Sequence, residues 1–77
     1  MAIGFVLITT MPGKEESVRN ALDSIEHVTG RWMLFGEFDI LARVQAHDEF
    51  TLTRCIVEQI RPLSGIQDTK TMIGAEL

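Results

Sequence analysis

The segment Phe35-Gly36-Glu37-Phe38-Asp39 interleaves a glycine and two acids with two aromatics, and its chemistry reaches beyond packing. Glycine supplies positive φ, so the chain there can splay unpaired backbone N–H groups toward a small carboxylate. Acidic or carbonyl oxygens of the same segment can meet an ammonium group. A zwitterionic ligand needs both close together. The plain structural alternative is a hairpin turn in which Asp39 hydrogen-bonds the turn amides.

A second candidate is Thr69-Lys70-Thr71. Two hydroxyls at i and i+2 of an extended chain share a side and can line a polar pocket at a subunit boundary. Threonine is also an ordinary strand former, so a solvated edge strand explains the same residues. Met33, Phe35 and Met72 suit core or interface packing, with methionine adapting to irregular apolar contacts.

Catalytic chemistry finds little support. The chain has no tyrosine. His27 fits a surface turn, and His47 stands as a solvated neighbour of Asp48. Cys55 lies on the flank of an apolar helix face and behaves as a small buried hydrophobe. No donor cluster has metal-ligand spacing. Gly36 alone is not a phosphate loop, and no dinucleotide motif follows it. No metal or cofactor is expected.

The elements that position these residues follow from periodicity. Ile3 to Thr10 is a strand with Ile3, Phe5 and Leu7 on one side and Val6 and Ile8 on the other. Pro12 and Gly13 lead into a first helix, with Gly13 as its N-cap and Glu15 and Glu16 at the positive helix end. Val18, Ala21, Leu22 and Ile25 give its apolar stripe. A second strand spans Val28 to Phe35 and a third Phe38 to Ala46, joined at Gly36-Glu37. Asp48 caps a second helix whose apolar face holds Phe50, Leu52, Thr53, Ile56, Val57 and Ile60, and Pro62 ends it. The last strand runs from Ile66 to Ala75.

Strand, helix, strand, strand, helix, strand is the order of a split β-α-β, ferredoxin-like α+β sandwich: four antiparallel strands with two helices on one face, the first and third strands central. The chain of 77 residues makes one domain, 1–77. At this size a single core is marginal, and with one cysteine no disulfide set compensates. Two helices cover one face of a strand that is apolar on both. A symmetric partner is the remaining source of burial, and Val6, Ile8 and their neighbours are expected to lie at that seam, each large side chain adding roughly 1.5–3 kcal/mol.

The net charge of −4 argues against direct nucleic-acid binding, because phosphate neutralisation needs clustered Lys and Arg. The apolar stretches are too short for a membrane span. The N-terminus has no secretory-signal pattern. Together with the unpaired Cys55, this points to a reducing cytoplasm.

The residues also resemble a known family. The opening apolar strand running into Pro12-Gly13-Lys14-Glu15-Glu16, the turn Gly36-Glu37-Phe38-Asp39 running into Ile40-Leu41, and the closing Gly65-Ile66 followed by Thr69-Lys70-Thr71-Met72-Ile73 are similar to the effector-sensing (RAM) domain of leucine-responsive/asparagine-synthesis (Lrp/AsnC) regulators. Phe38 fills the aromatic position between the glycine and aspartate of the turn. The resemblance covers essentially the whole chain. It implies a homodimer with two sheets face to face, a dimeric α+β barrel, associating into rings such as octamers or decamers. It implies amino acids or related small metabolites bound in clefts between subunits. Carried over by motif, the ligand contacts are Gly36, Glu37, Phe38 and Asp39 of one subunit, with Thr69 and Thr71 as neighbours. Full-length regulators carry a helix-turn-helix domain before this one, whereas this chain begins at the sensing domain's first strand. The expectation is a stand-alone, amino-acid-binding, self-assembling module without a DNA-binding domain, acting on transcription or amino-acid metabolism, with a full-length regulator as a possible partner for co-assembly.

Two other functions fit a small ferredoxin-like dimer. Quinone-forming monooxygenases and small isomerases share the architecture and use a cavity within one subunit, for which this chain offers Trp32, Asn20 and Asp39. A purely structural assembly subunit would bind nothing.

Overall fold

The computed structural model describes residues 1–74. Its elements are β1 (Ala2–Thr10), α1 (Glu15–Asp23), β2 (Val28–Met33), β3 (Ile40–Ala46), α2 (Glu49–Cys55) continuing as a π-helical turn (Ile56–Ile60), and β4 (Ile66–Ile73). One four-stranded sheet has the order β2-β3-β1-β4, and each neighbouring pair is antiparallel. This is the expected ferredoxin-like arrangement, with the first and third strands central. The expected end of the last strand, Ala75, lies outside the described residues.

Register decides which side each strand gives to the helices. Val6 pairs with Ala42 and Ile8 with Ile40, so their side chains share one side, and all are fully buried. Val18 and Leu22 of α1 and Leu52, Ile56 and Ile60 of the second helical segment complete this core. On the other side Leu7 pairs with Leu41, Phe5 with Arg43 and Ile3 with Gln45. All six are only partly buried. The expected seam at Val6 and Ile8 is therefore corrected: those residues lie under the helices, and the uncovered side is that of Ile3, Phe5 and Leu7. The physical reason is in the partners. The Val6 side meets only apolar side chains of β3 and makes a dry layer, whereas the other side meets Arg43 and Gln45.

The start of α1 and the apolar face of the second helix also differ from expectation. Lys14, not Gly13, is the N-cap of α1, because Gly13 takes φ +80° in the preceding turn. Phe50 and Val57 do not join the core, at 69% and 47% exposure. Leu52, Cys55, Ile56 and Ile60 form the inner stripe instead, and the Phe50 ring packs outside against the Arg54 guanidinium, 5.7 Å from its centroid. Asp48 does cap α2, its carboxylate accepting from Thr51 N at 2.7 Å.

Strands β2 and β3 are shorter than expected, ending at Met33 and starting at Ile40. The β1–β3 register, continued past Ile8 and Ile40, would set Phe38 opposite Thr10. Instead Asp39 Oδ2 accepts from Thr10 N at 2.8 Å. A side-chain oxygen takes the rung a main-chain carbonyl would hold, and Phe38 is free to leave the strand.

Candidate functional site

The loop between β2 and β3 is built around Asp39. Its N–H donates to Ile8 O at 2.8 Å, and its carbonyl accepts from Leu34 N at 2.8 Å. The first bond ties the loop to β1 one residue off the β1–β3 register, which would set Asp39 opposite Thr9, and the second closes the loop on itself. Oδ2 also accepts from Thr10 Oγ1 at 3.2 Å. The expectation that Asp39 bonds the turn amides is thus corrected: its carboxylate reaches across to β1. Thr10 supplies both of those donors at 4% exposure, and no other polar side chain among the described residues is as buried.

With Asp39 used in this way, the N–H groups of Phe35, Gly36, Glu37 and Phe38 have no protein acceptor among the described residues. Gly36 has φ +128°, a conformation L side chains rarely adopt, and a Cβ there would meet nothing within 4 Å. The glycine is needed for its backbone, not for room. Phe35 is fully exposed, while Phe38 is partly covered. The loop therefore offers a run of free amide donors, with acidic Glu37 exposed beside them.

Thr69 and Thr71 pair with Ile8 and Val6. They share the helix side of the sheet at its open edge, Thr69 partly buried and Thr71 exposed. Strands β3 and β4 flank β1 on opposite sides, about 10 Å apart. The six predicted residues thus fall into two groups that one subunit does not bring together. Lys70 and Met72, opposite Leu7 and Phe5, lie on the uncovered side. The missed residue is Thr10. A single threonine ending an apolar strand carries no sequence signal for a partner 29 positions away.

Other polar groups have structural partners. His27 Nδ1 lies 3.1 Å from Gln45 O, which can only accept, so that nitrogen carries the proton. His47 Nε2 meets Asp48 at 2.9 Å. The bond from Thr51 N holds the Asp48 carboxyl below the usual carboxylate range. A bidentate hydrogen bond from Arg31 does the same for Asp23, and ties β2 to the end of α1 at 2.8 and 2.9 Å. Burial pushes the Cys55 thiol up, away from nucleophilic use. Cys55 lines a cleft of about 160 Å³ with His27, Arg54 and Glu58, remote from the loop. Among the described residues no group of three or more His, Cys, Asp or Glu side chains is placed to hold a metal, and no helix is long and apolar enough to cross a membrane.

Comparison with known proteins adds the following. The family model of the Lrp/AsnC ligand binding domain matches residues 3–75. An uncharacterized HTH-type transcriptional regulator of Pyrococcus horikoshii, PH1916, is 26% identical over 73 residues, covering 91% of this chain and 49% of that protein. The chain thus spans about half the length of that curated relative. The crystal structure of FFRP-DM1 superposes with a TM-score of 0.92 at 33% identity, covering 97% of this chain and 100% of that one. The hypothetical protein PHS023 from Pyrococcus horikoshii gives 0.91 at 32%, covering 100% and 93%. A Neisseria meningitidis transcriptional regulator, NMB0573, solved as an L-Met complex, gives 0.84 at 17%, covering 97% and 50%; this likeness is one of fold.

Proposed function

From the premise that this chain belongs to the Lrp/AsnC ligand binding domain family, we propose that it is a sensing module which binds an amino acid or related small metabolite and self-assembles. The family match across residues 3–75 is the observation that carries this reading. The geometry supports it in two places.

The free amides of Phe35 to Phe38 suit a ligand carboxylate, and Glu37 and Asp39 suit its ammonium group. Thr69 and Thr71 of a second subunit would complete the pocket, since those of the same subunit stand on the far side of β1. The half-buried side of Ile3, Phe5, Leu7, Trp32 and Leu41 would pack against the same side of a twin, forming the dimeric barrel from which rings such as octamers or decamers are built. A ligand at a boundary between subunits would favour one assembly by its different affinity for the two states. The output would be regulation of transcription or amino-acid metabolism in the cytoplasm, through co-assembly with a full-length regulator. Two of the relatives named above, PH1916 and NMB0573, are described as transcriptional regulators, which favours sensing over catalysis.

Titration calorimetry against the twenty amino acids, beginning with L-methionine, tests the sensing half, with light scattering recorded on the same samples. Binding with a change in particle size is expected. No heat, no thermal shift and an unchanged size for all twenty would leave a purely structural subunit.

A further inference from the structure

We infer that Thr10 is the positioning residue of the candidate ligand turn, acting through Asp39. The inference rests on the reading that the turn contacts ligand, and it adds a residue outside the motif.

Thr10 N and Oγ1 both donate to Asp39 Oδ2, at 2.8 and 3.2 Å. Asp39 Oδ1 accepts no hydrogen bond among the described residues. The carboxylate is therefore divided, with one oxygen bound inward to β1 and the other left for an incoming ammonium group. Hydrogen bonds to an ionised acceptor are among the stronger ones, and here both donors belong to the buried Thr10. Thr10 is itself fixed from the other side. Met11 N donates to Gly65 O at 2.7 Å, and a Cβ on Gly65 would come within 2.9 Å of Lys14 Cβ. That close approach clamps the start of β4 onto the entry to α1. The β1–β4 register shifts between Thr9 and Thr10, so the irregular rung falls where Thr10 meets Asp39. Anchored by its strand, Thr10 sets where Asp39 stands. Asp39, through its main-chain bonds to Ile8 and Leu34, sets both ends of the loop that exposes the amides.

The test compares Thr10→Val, which keeps the branched shape and loses the hydroxyl, with Thr10→Ser, which keeps the hydroxyl. Amide NMR on the full chain reads chemical shifts at Gly36, Glu37 and Phe38, and hydrogen exchange at Leu34 and Asp39, whose N–H groups donate to Asp39 O and Ile8 O. In Thr10→Val the turn signals should move and the Leu34 and Asp39 amides should exchange roughly tenfold faster, while amides of β1 and β3 away from Thr10 stay in place. Thr10→Ser should restore them. Asp39→Ala supplies the reference for a released turn. Wild-type turn signals in Thr10→Val, or no rescue by Thr10→Ser, would overturn the inference. Calorimetry with L-methionine and the other nineteen amino acids on wild-type protein tests the ligand reading separately. If none binds while the turn responds as described, the ligand reading falls and the latch stands.

Discussion

Trp32 stands directly opposite Leu41 in the β2–β3 register, and both point away from the helices. Leu41 in turn faces Leu7 of β1, so an apolar row crosses three strands on the uncovered side. Trp32 is 49% exposed there. The indole also lies over Gly30, where a Cβ would come within 2.8 Å of the ring. It is the chain's single tryptophan, and so a built-in probe of whatever covers this side.

Dilution should therefore shift Trp32 emission to longer wavelength as subunits separate, in step with light scattering. Leu7→Glu should weaken association by roughly 100-fold or more, because each subunit loses one buried large side chain at the seam. Its circular dichroism should remain that of a folded domain. An emission maximum and particle size that ignore both dilution and Leu7→Glu would place the twin elsewhere.

Substitutions on the other side of the same strand should behave differently. Ile8→Ala opens a hole in the layer under the helices and should lower folding stability by about 2–5 kcal/mol, read by urea unfolding. That is a large share of what a small domain possesses. A loss well under 1 kcal/mol would contradict the placement of Ile8 in the sealed core.

Gly36→Ala tests the turn's backbone. The new methyl group meets empty space, so any loss comes from the φ of +128° alone. Stability should fall by about 1–3 kcal/mol, or the loop should rearrange and lose affinity for amino acids. Unchanged stability together with unchanged turn amides would contradict the assigned conformation.

Acid should weaken two local ties. The Asp48 carboxylate is held below its ordinary value of 3.8 by Thr51 N–H, and that of Asp23 by Arg31. A depressed folded-state value means the unfolded chain binds protons first. The contribution is complete above the ordinary value and is lost as pH falls through the lower, folded one. Melting temperature should drop across that acid window, and the drop should be smaller in Asp48→Ala, which has already lost its cap. An identical acid profile in the variant would remove Asp48 from the account.

Cys55 should resist thiol reagents in the native state. It is 2% exposed, and burial raises its thiol. Labelling at neutral pH should be at least roughly tenfold slower than in denaturant. Equal rates would show that the cleft beside it opens freely.

Much of the fold was legible because its signals are local. Alternation from Ile40 to Ala46, the stripe of Val18 and Leu22, the cap at Asp48 and the stop at Pro62 each act within a few residues. The turn at Gly36 was legible for the same reason. Phe50 and Val57 were misplaced because hydrophobicity alone does not say which side of a helix meets the sheet; the inner stripe passes through Cys55 instead.

By itself the sequence determined the order of strands and helices, the family and the candidate loop, since periodicity, punctuating residues and motif spacing are written along the chain. Only the tertiary structure decided which side of β1 the helices cover, because both of its sides are apolar and the register against β3 breaks the tie. It alone joined Thr10 to Asp39 and parted Thr69 and Thr71 from the turn. Those relations exist between strands, at separations over which one chain segment carries no information about another until the sheet has formed.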